Sequence, residues 1–197
     1  MREDIHQPMS EFRVETFAPG EAATDFEPGD FILTHRKRFI SRMIRVAQKI
    51  RGRERRYSYW SHAAIIIDRD GSLVEAETKG VVISPLSKYQ PAEYHLVHLG
   101  DSADERDRQQ VAAFARTLVG QPFGFLDMAS VTLSLLTGAK VNISYESHLM
   151  CSALVARALE RTSALFEDEP AHMLPADLAR YYGVEAPNQG KGGQAPR

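Results

Sequence analysis

The sequence predicts an α+β domain in which an antiparallel sheet packs against helices. Two observations carry this. Short β-rich apolar runs (residues 31–34, 63–67, 72–77, 80–84 and 94–99) crowd the first hundred positions, with one helical pattern among them and helices after them. Between two of these runs lies Asp68-Arg69-Asp70-Gly71, a turn sequence that folds them into a hairpin, hence antiparallel strands.

The elements follow in order. Pro28-Gly29-Asp30 turns the chain into the strand FILT. Ile40, Met43, Ile44, Ala47 and Ile50 then recur at helical spacing, with Arg38, Arg42, Arg45 and Lys49 interleaved, and Gly52 ends the helix. AAIII, SLVEAE, GVVIS and YHLVHL are the next strands. Ser102 to Glu105 reads as a capping box opening a helix whose apolar face is Val111, Phe114, Ala115 and Leu118. Gly120 stops that helix and Pro122 blocks its continuation. Further helices are expected over 126–136, closed by Gly138, over 151–161, and from Pro175 onward. Residues 1–27 read as an extended arm, 28–182 as the ordered domain and 183–197 as a flexible tail.

With 197 residues, 43% hydrophobic and 25% charged, the chain suits one globular domain able to bury its core without staples. Its single cysteine, Cys151, excludes an intrachain disulfide and a cysteine-based zinc cluster. The net charge of −2 gives no case for nucleic-acid binding. Residues 36–56, however, hold eight Arg, two Lys and only Glu54 against them, leaving the remainder at −11. Such a stretch is ordinarily a solvated helix face. A basic amphipathic helix also fits an anionic membrane surface, here through Arg38, Arg42 and Arg45. The N-terminal MREDIHQPMSEF lacks the apolar core of a signal peptide, and no apolar run reaches a membrane-spanning length. The expected location is the cytoplasm, with export by a route that needs no cleaved signal left open.

Three residues could do chemistry together. Cys151 stands at the start of a helical pattern, where free N–H groups favour a thiolate and its own backbone N–H can receive an oxyanion. His62 lies at the mouth of an apolar strand. In the hairpin register that sets Ile67 against Ser72, Glu75 opposes Ala64 and Glu77 opposes His62, so both carboxylates share the histidine's face. Each residue taken singly is more often structural: a buried small hydrophobe, a satisfied core histidine, a solvated strand edge. Together they form a nucleophile, a base and an orienting acid. Tyr59, Trp60 and Ser61, just before His62, are candidates to line the cleft. His95 and His98, three apart on a strand, point to opposite faces and do not suggest a metal site; His148 reads as a loop histidine. Asp68 to Gly71 lacks the further ligands of a calcium loop, and no phosphate-binding glycine motif occurs.

These motifs, PGDFILTHRKRFISRMIRVAQ, YWSHAAIII, LVEAE, GQPFGFLDM and CSALVARALE, resemble in sequence and in order the permuted NlpC-type papain-like cysteine hydrolases of the YaeF/YiiX group. In papain the cysteine precedes the histidine; in this group, as here, the order is reversed. The resemblance covers about residues 28–182 and implies a circularly permuted papain-like fold with Cys151 as nucleophile, His62 as base and Glu75, which matches the family's "vEA" position, as the orienting carboxylate. It places Phe123 beside the cleft, where the family often has Tyr. It implies hydrolysis of amide bonds in small or cell-wall-derived peptides, with no cofactor. Relatives in the wider superfamily act on lipid acyl groups, so a thioesterase or acyltransferase is the alternative enzyme. A catalytically silent binding module is the alternative outside enzymes.

Overall fold

A computed structural model describes residues 12–36, 39–50, 52–122, 151–162, 164, 166 and 169–187. Six strands form one sheet: β1 (Val14–Phe17), β2 (Phe31–Thr34), β3 (His62–Ile66), β4 (Ser72–Glu77), β5 (Gly80–Pro85) and β6 (Tyr94–Val97). Their order is β1-β6-β2-β3-β4-β5, and every neighbouring pair is antiparallel. Among the described residues the α-helices are α1 (Phe39–Ile50), α2 (Glu105–Thr117), α3 (Cys151–Leu159) and α4 (Pro175–Tyr181). This is the predicted α+β architecture. The helix expected over 126–136, Arg38, Phe123 and His148 lie outside the described residues.

Strand alternation sorts the sheet into two apolar faces. On one, Phe31, Leu33, Ala63, Ile65, Val74 and Val97 pack with Val111, Leu154, Val155 and Leu178 of the helices. On the other, Ile32, Ala64, Ile66, Leu73 and Leu96 pack with Leu86, Tyr89 and Tyr94. The residues that close this second face include Phe17, Ala23 and Phe26 of the extended N-terminal arm. The Ala23 N–H donates to the Tyr94 hydroxyl at 2.8 Å, the Gly20 N–H donates to the Gln90 carbonyl at 2.7 Å, and β1 is one edge strand of the sheet. A sheet needs both apolar faces covered, and here the N-terminal segment covers one of them.

The tail boundary shifts for a similar reason. Val184 is buried, its carbonyl accepts the Trp60 indole N–H at 2.8 Å, and the Ala186 N–H donates to the Arg56 carbonyl at 2.7 Å. The cap of α2 also moves: Asp104, not Ser102, accepts the Asp107 N–H at 2.8 Å, and Asp107 returns the bond to the Asp104 N–H. Either residue type caps well, and Ser102 is taken up by a preceding 3₁₀ turn. Of the apolar stripe read in α1, Ile44 is buried; the side chains of Ile40, Met43, Ala47 and Ile50 lie outside the described set.

Two motif segments have clear structural jobs. The Gly120-Gln121-Pro122 segment docks on the β5 edge: the Gly120 N–H donates to the Val81 carbonyl and the Val81 N–H to the Gln121 carbonyl, both at 2.9 Å. Gly80 permits this approach, because a Cβ there would lie 2.8 Å from the Gln121 oxygen and its φ is +122°. The Pro28-Gly29-Asp30 turn buries Asp30, whose carboxylate accepts from the Leu99 N–H (3.0 Å) and from Arg108 (3.1 Å) and lies 3.1 Å from His98 Nδ1.

Candidate active site

The hairpin has the predicted register. Ile65 opposes Val74 and Ile66 opposes Leu73, with the Ile67 N–H donating to the Ser72 carbonyl at 2.9 Å. Asp68 closes the turn by accepting the Ser72 N–H at 2.8 Å. The register brings Glu75, which is fully buried, to His62: Glu75 Oε2 lies 2.8 Å from His62 Nε2. Glu77, which the same register carried on would set against His62, does not take the imidazole, and the β3–β4 ladder stops at Ile65 and Val74; Glu77 receives Arg36 Nη1 at 3.0 Å and Lys88 Nζ at 2.6 Å. The two cations at the sheet rim account for this.

His62 is the first residue of β3 and Cys151 the first described residue of α3, and both are buried. With Nε2 committed to Glu75, Nδ1 is left for the thiol. Burial opposes charging of His62, yet the hydrogen-bonded Cys151 sulfur and Glu75 raise its pKa above the ordinary value, while Arg36 pulls it back. Burial likewise opposes ionisation of Cys151. The imidazole, by charge and hydrogen bond, together with the Ala63 N–H and the Arg36 charge, brings the thiol below its ordinary pKa. The opposite shifts in one contacting pair both move the balance toward thiolate and imidazolium.

A buried network surrounds Glu75. Tyr89 donates its hydroxyl to Glu75 Oε2 at 2.6 Å and lies 3.0 Å from His62 Nε2, so the Nε2 proton is shared between carboxylate and phenol oxygens. Lys88 Nζ takes Oε1 at 2.5 Å, and Arg36 Nη2 reaches Oε2 at 3.2 Å and the Tyr89 oxygen at 2.8 Å. Burial raises the Glu75 pKa, but His62, Lys88 and Tyr89 hold it far below the usual carboxylate range. Burial and the Glu75 charge push the Tyr89 phenol well up, so it stays a donor. Arg36, Lys88 and Tyr89 were not singled out by the sequence; Arg36 stood among the basic run, and nothing local marks Tyr89.

The expected cleft residues divide. Trp60 and Ser61 are buried, as are Cys151, His62 and Glu75. Trp60 packs edge-on against His95 at 4.5 Å, an indole filling core space with its one donor satisfied. Ser61 Oγ accepts the Arg36 N–H at 2.9 Å. Tyr59 is half-buried, stacked on His35 at 4.2 Å. Another residue missed in the sequence, buried Gln48 on α1, fixes the run leading into His62: its amide donates to the Ser58 and Trp60 carbonyls (3.1 and 3.0 Å) and accepts the Ala176 N–H at 2.9 Å. Among the described residues no group of three His, Cys, Asp or Glu side chains is arranged to hold a metal ion.

An antiparallel sheet against helices, with a thiol from the helical layer meeting a histidine from a strand, is the layout of the papain-like cysteine hydrolases, and His62 preceding Cys151 is their permuted order. Residues 25–174 match the model of the permuted papain-like amidases, the YaeF/YiiX or C92 peptidase family, and the chain belongs to this family of enzymes. No curated protein matches the chain significantly.

Proposed function

We propose that this cysteine hydrolase cleaves amide bonds in small or cell-wall-derived peptides through a Cys151–His62–Glu75 triad. The observation that carries the reading is the 2.8 Å contact of His62 Nε2 with buried Glu75, made by a histidine that also hydrogen-bonds the Cys151 sulfur. The Cys151 thiolate attacks the amide carbonyl carbon and its electrons move onto the oxygen, where the Cys151 backbone N–H is one donor to the oxyanion. On collapse the C–N bond breaks, and the leaving nitrogen takes the proton held by His62. A thioester on Cys151 remains. Neutral His62 then accepts a proton from water as its oxygen attacks the thioester, releasing a carboxylic acid and regenerating the pair. Glu75 keeps its charge throughout and fixes the Nε2–H tautomer.

The test is intact-mass analysis of the Glu75→Gln variant, which deacylates slowly, after incubation with peptides including cell-wall fragments, and separately with phospholipids and acyl thioesters. A peptidyl adduct on Cys151 is the expected result. A fatty-acyl adduct from lipid with none from peptides overturns the amidase in favour of an acyltransferase or thioesterase. Slow alkylation of native Cys151, matching an unfolded control, overturns both enzyme readings in favour of a binding module.

The same proposal extends to an anionic membrane surface read by α1. Arg42 and Lys49 are exposed on either side of Val46, itself 43% exposed. Arg45 contributes less than expected, since its Nη1 donates to the Arg36 carbonyl at 3.1 Å. Arg53 and Arg56 are likewise engaged, by Asp177 at 2.7 Å and by Glu54 and Glu185 at 2.8 Å. Among the described residues no helix is long and apolar enough to cross a membrane.

A further inference from the structure

We propose that Arg36 is a positioning residue that sets the pH window of the Cys151–His62 pair, acting through Glu75 and Tyr89. The inference rests on the triad proposed above. Its ground is where the guanidinium sits. Glu75 needs no second cation to stay in place: Lys88 holds Oε1, and Tyr89 donates to Oε2. Arg36 instead crowds the oxygen that serves the histidine, placing Nη2 at 3.2 Å from Oε2 and at 2.8 Å from the phenol oxygen that shares the Nε2 proton.

The placement is pre-organised at both ends. The Arg36 N–H is held by Ser61 Oγ at 2.9 Å, one residue from His62, and its carbonyl by Arg45 of α1 at 3.1 Å. The outer edge of the guanidinium is fixed by Glu77 at 3.0 Å, and its carbon lies 5.2 Å over the Tyr89 ring. The side chain is 19% exposed, so its charge is weakly screened at the pair.

Among the described residues, the charged and titratable groups facing the pair are Glu75 and Glu77 from β4, Lys88 and Tyr89 from the turn after β5, and Arg36 with Arg45 behind it. A cation beside the pair eases loss of the thiol proton and also loss of the imidazolium proton. It therefore moves both limbs of the active window toward lower pH. Its removal must move both upward, because Glu75 and Glu77 are then less compensated and bind the His62 charge more strongly.

The pH dependence of Cys151 alkylation by a neutral reagent reads this directly, since Cys151 is the only thiol. The wild-type profile has two inflections, thiolate formation and imidazolium loss. In Arg36→Met both inflections rise together by about half a unit to one unit, and Arg36→Lys, which keeps the charge, restores most of the shift. Glu77→Gln, a rim substitution that covers the case of a misfolded Arg36 variant, moves both inflections the opposite way. Lost amplitude in Arg36→Met with unmoved inflections, or an equal shift in Arg36→Lys, overturns the proposal and leaves Arg36 a packing residue. A wild-type profile with one inflection at the ordinary thiol value overturns the triad itself, a result distinct from unmoved inflections in the variants.

Discussion

Each end of the sheet sets a buried carboxylate and a buried histidine beside an arginine. Beside Asp30, His98 Nδ1 lies at 3.1 Å, Arg108 at 3.1 Å and the Leu99 N–H at 3.0 Å. Beside Glu75 stand His62, Arg36, Lys88 and Tyr89. The sets are nearly the same, and what separates them is the second ring nitrogen. That of His98 faces Glu15 Oε2, a carboxylate 3.7 Å away on edge strand β1. That of His62 faces a thiol. A histidine between two acids stores charge and ties strands together; a histidine between an acid and a thiol can pass a proton to and from a reacting group.

Breaking the chemical end has the largest effect. Cys151→Ser is expected to lower turnover by about 10⁴-fold or more while leaving thermal unfolding near the parent's; retained turnover removes the nucleophile assignment. Glu75→Gln should lower kcat by about 10²–10³-fold, since the Nε2–H tautomer loses its charged acceptor. Glu77→Gln should cost less than about tenfold, because Glu77 meets cations and not the imidazole. The reverse ranking of the two glutamates would mean that His62 is oriented by its register partner instead.

The Asp30 end should show the opposite pattern. Asp30→Asn is expected to cost about 2–4 kcal/mol in denaturant unfolding with kcat per folded molecule unchanged. The pH dependence has two signs. The Asp30 pKa is lowered, against burial, by His98, by the Leu99 and Glu27 N–H groups and by Arg108, so its contribution is present above the ordinary aspartate value of about 3.9 and is lost as pH falls through the folded value. The His98 pKa is raised, chiefly by its bond to Asp30, so its contribution is full below about 6.5 and is lost as pH rises through the folded value. Urea unfolding of His98→Gln across pH should lack that alkaline decline; a decline equal to the parent's assigns it elsewhere.

The smallest effect is expected on the basic face. Sedimentation with anionic vesicles at low salt should weaken by about three- to tenfold in an Arg42→Glu, Lys49→Glu double variant and fall as salt rises, because exposed charges are screened beyond about 8–10 Å. No binding by the parent returns α1 to an ordinary solvated face.

By itself the sequence determined five of the six strands, the hairpin and its register, because β-rich apolar runs and an Asp-Arg-Asp-Gly turn are local; β1 is not among them. It also singled out Cys151, His62 and Glu75 as candidates, although none stands out alone: the hairpin register put a carboxylate beside the histidine, and the order of the motifs, matched to the family's, joined them to the lone thiol. Tertiary structure alone decided which groups surround them. Tyr89 and Lys88 reach Glu75 from a turn beyond β5, and Arg36 reaches it from the far side of β3, across 39 positions of chain. The same holds for the arm and the tail. Residues 14–26, broken by Pro19 and Gly20, and the short run 184–186 carry no marked periodicity, yet one closes a sheet face and the other satisfies the buried Trp60 indole. Local pattern reports what a segment can become. What a buried carboxylate or an uncovered sheet face needs is met by whichever distant residue the fold brings near, and that proximity has no period in the chain.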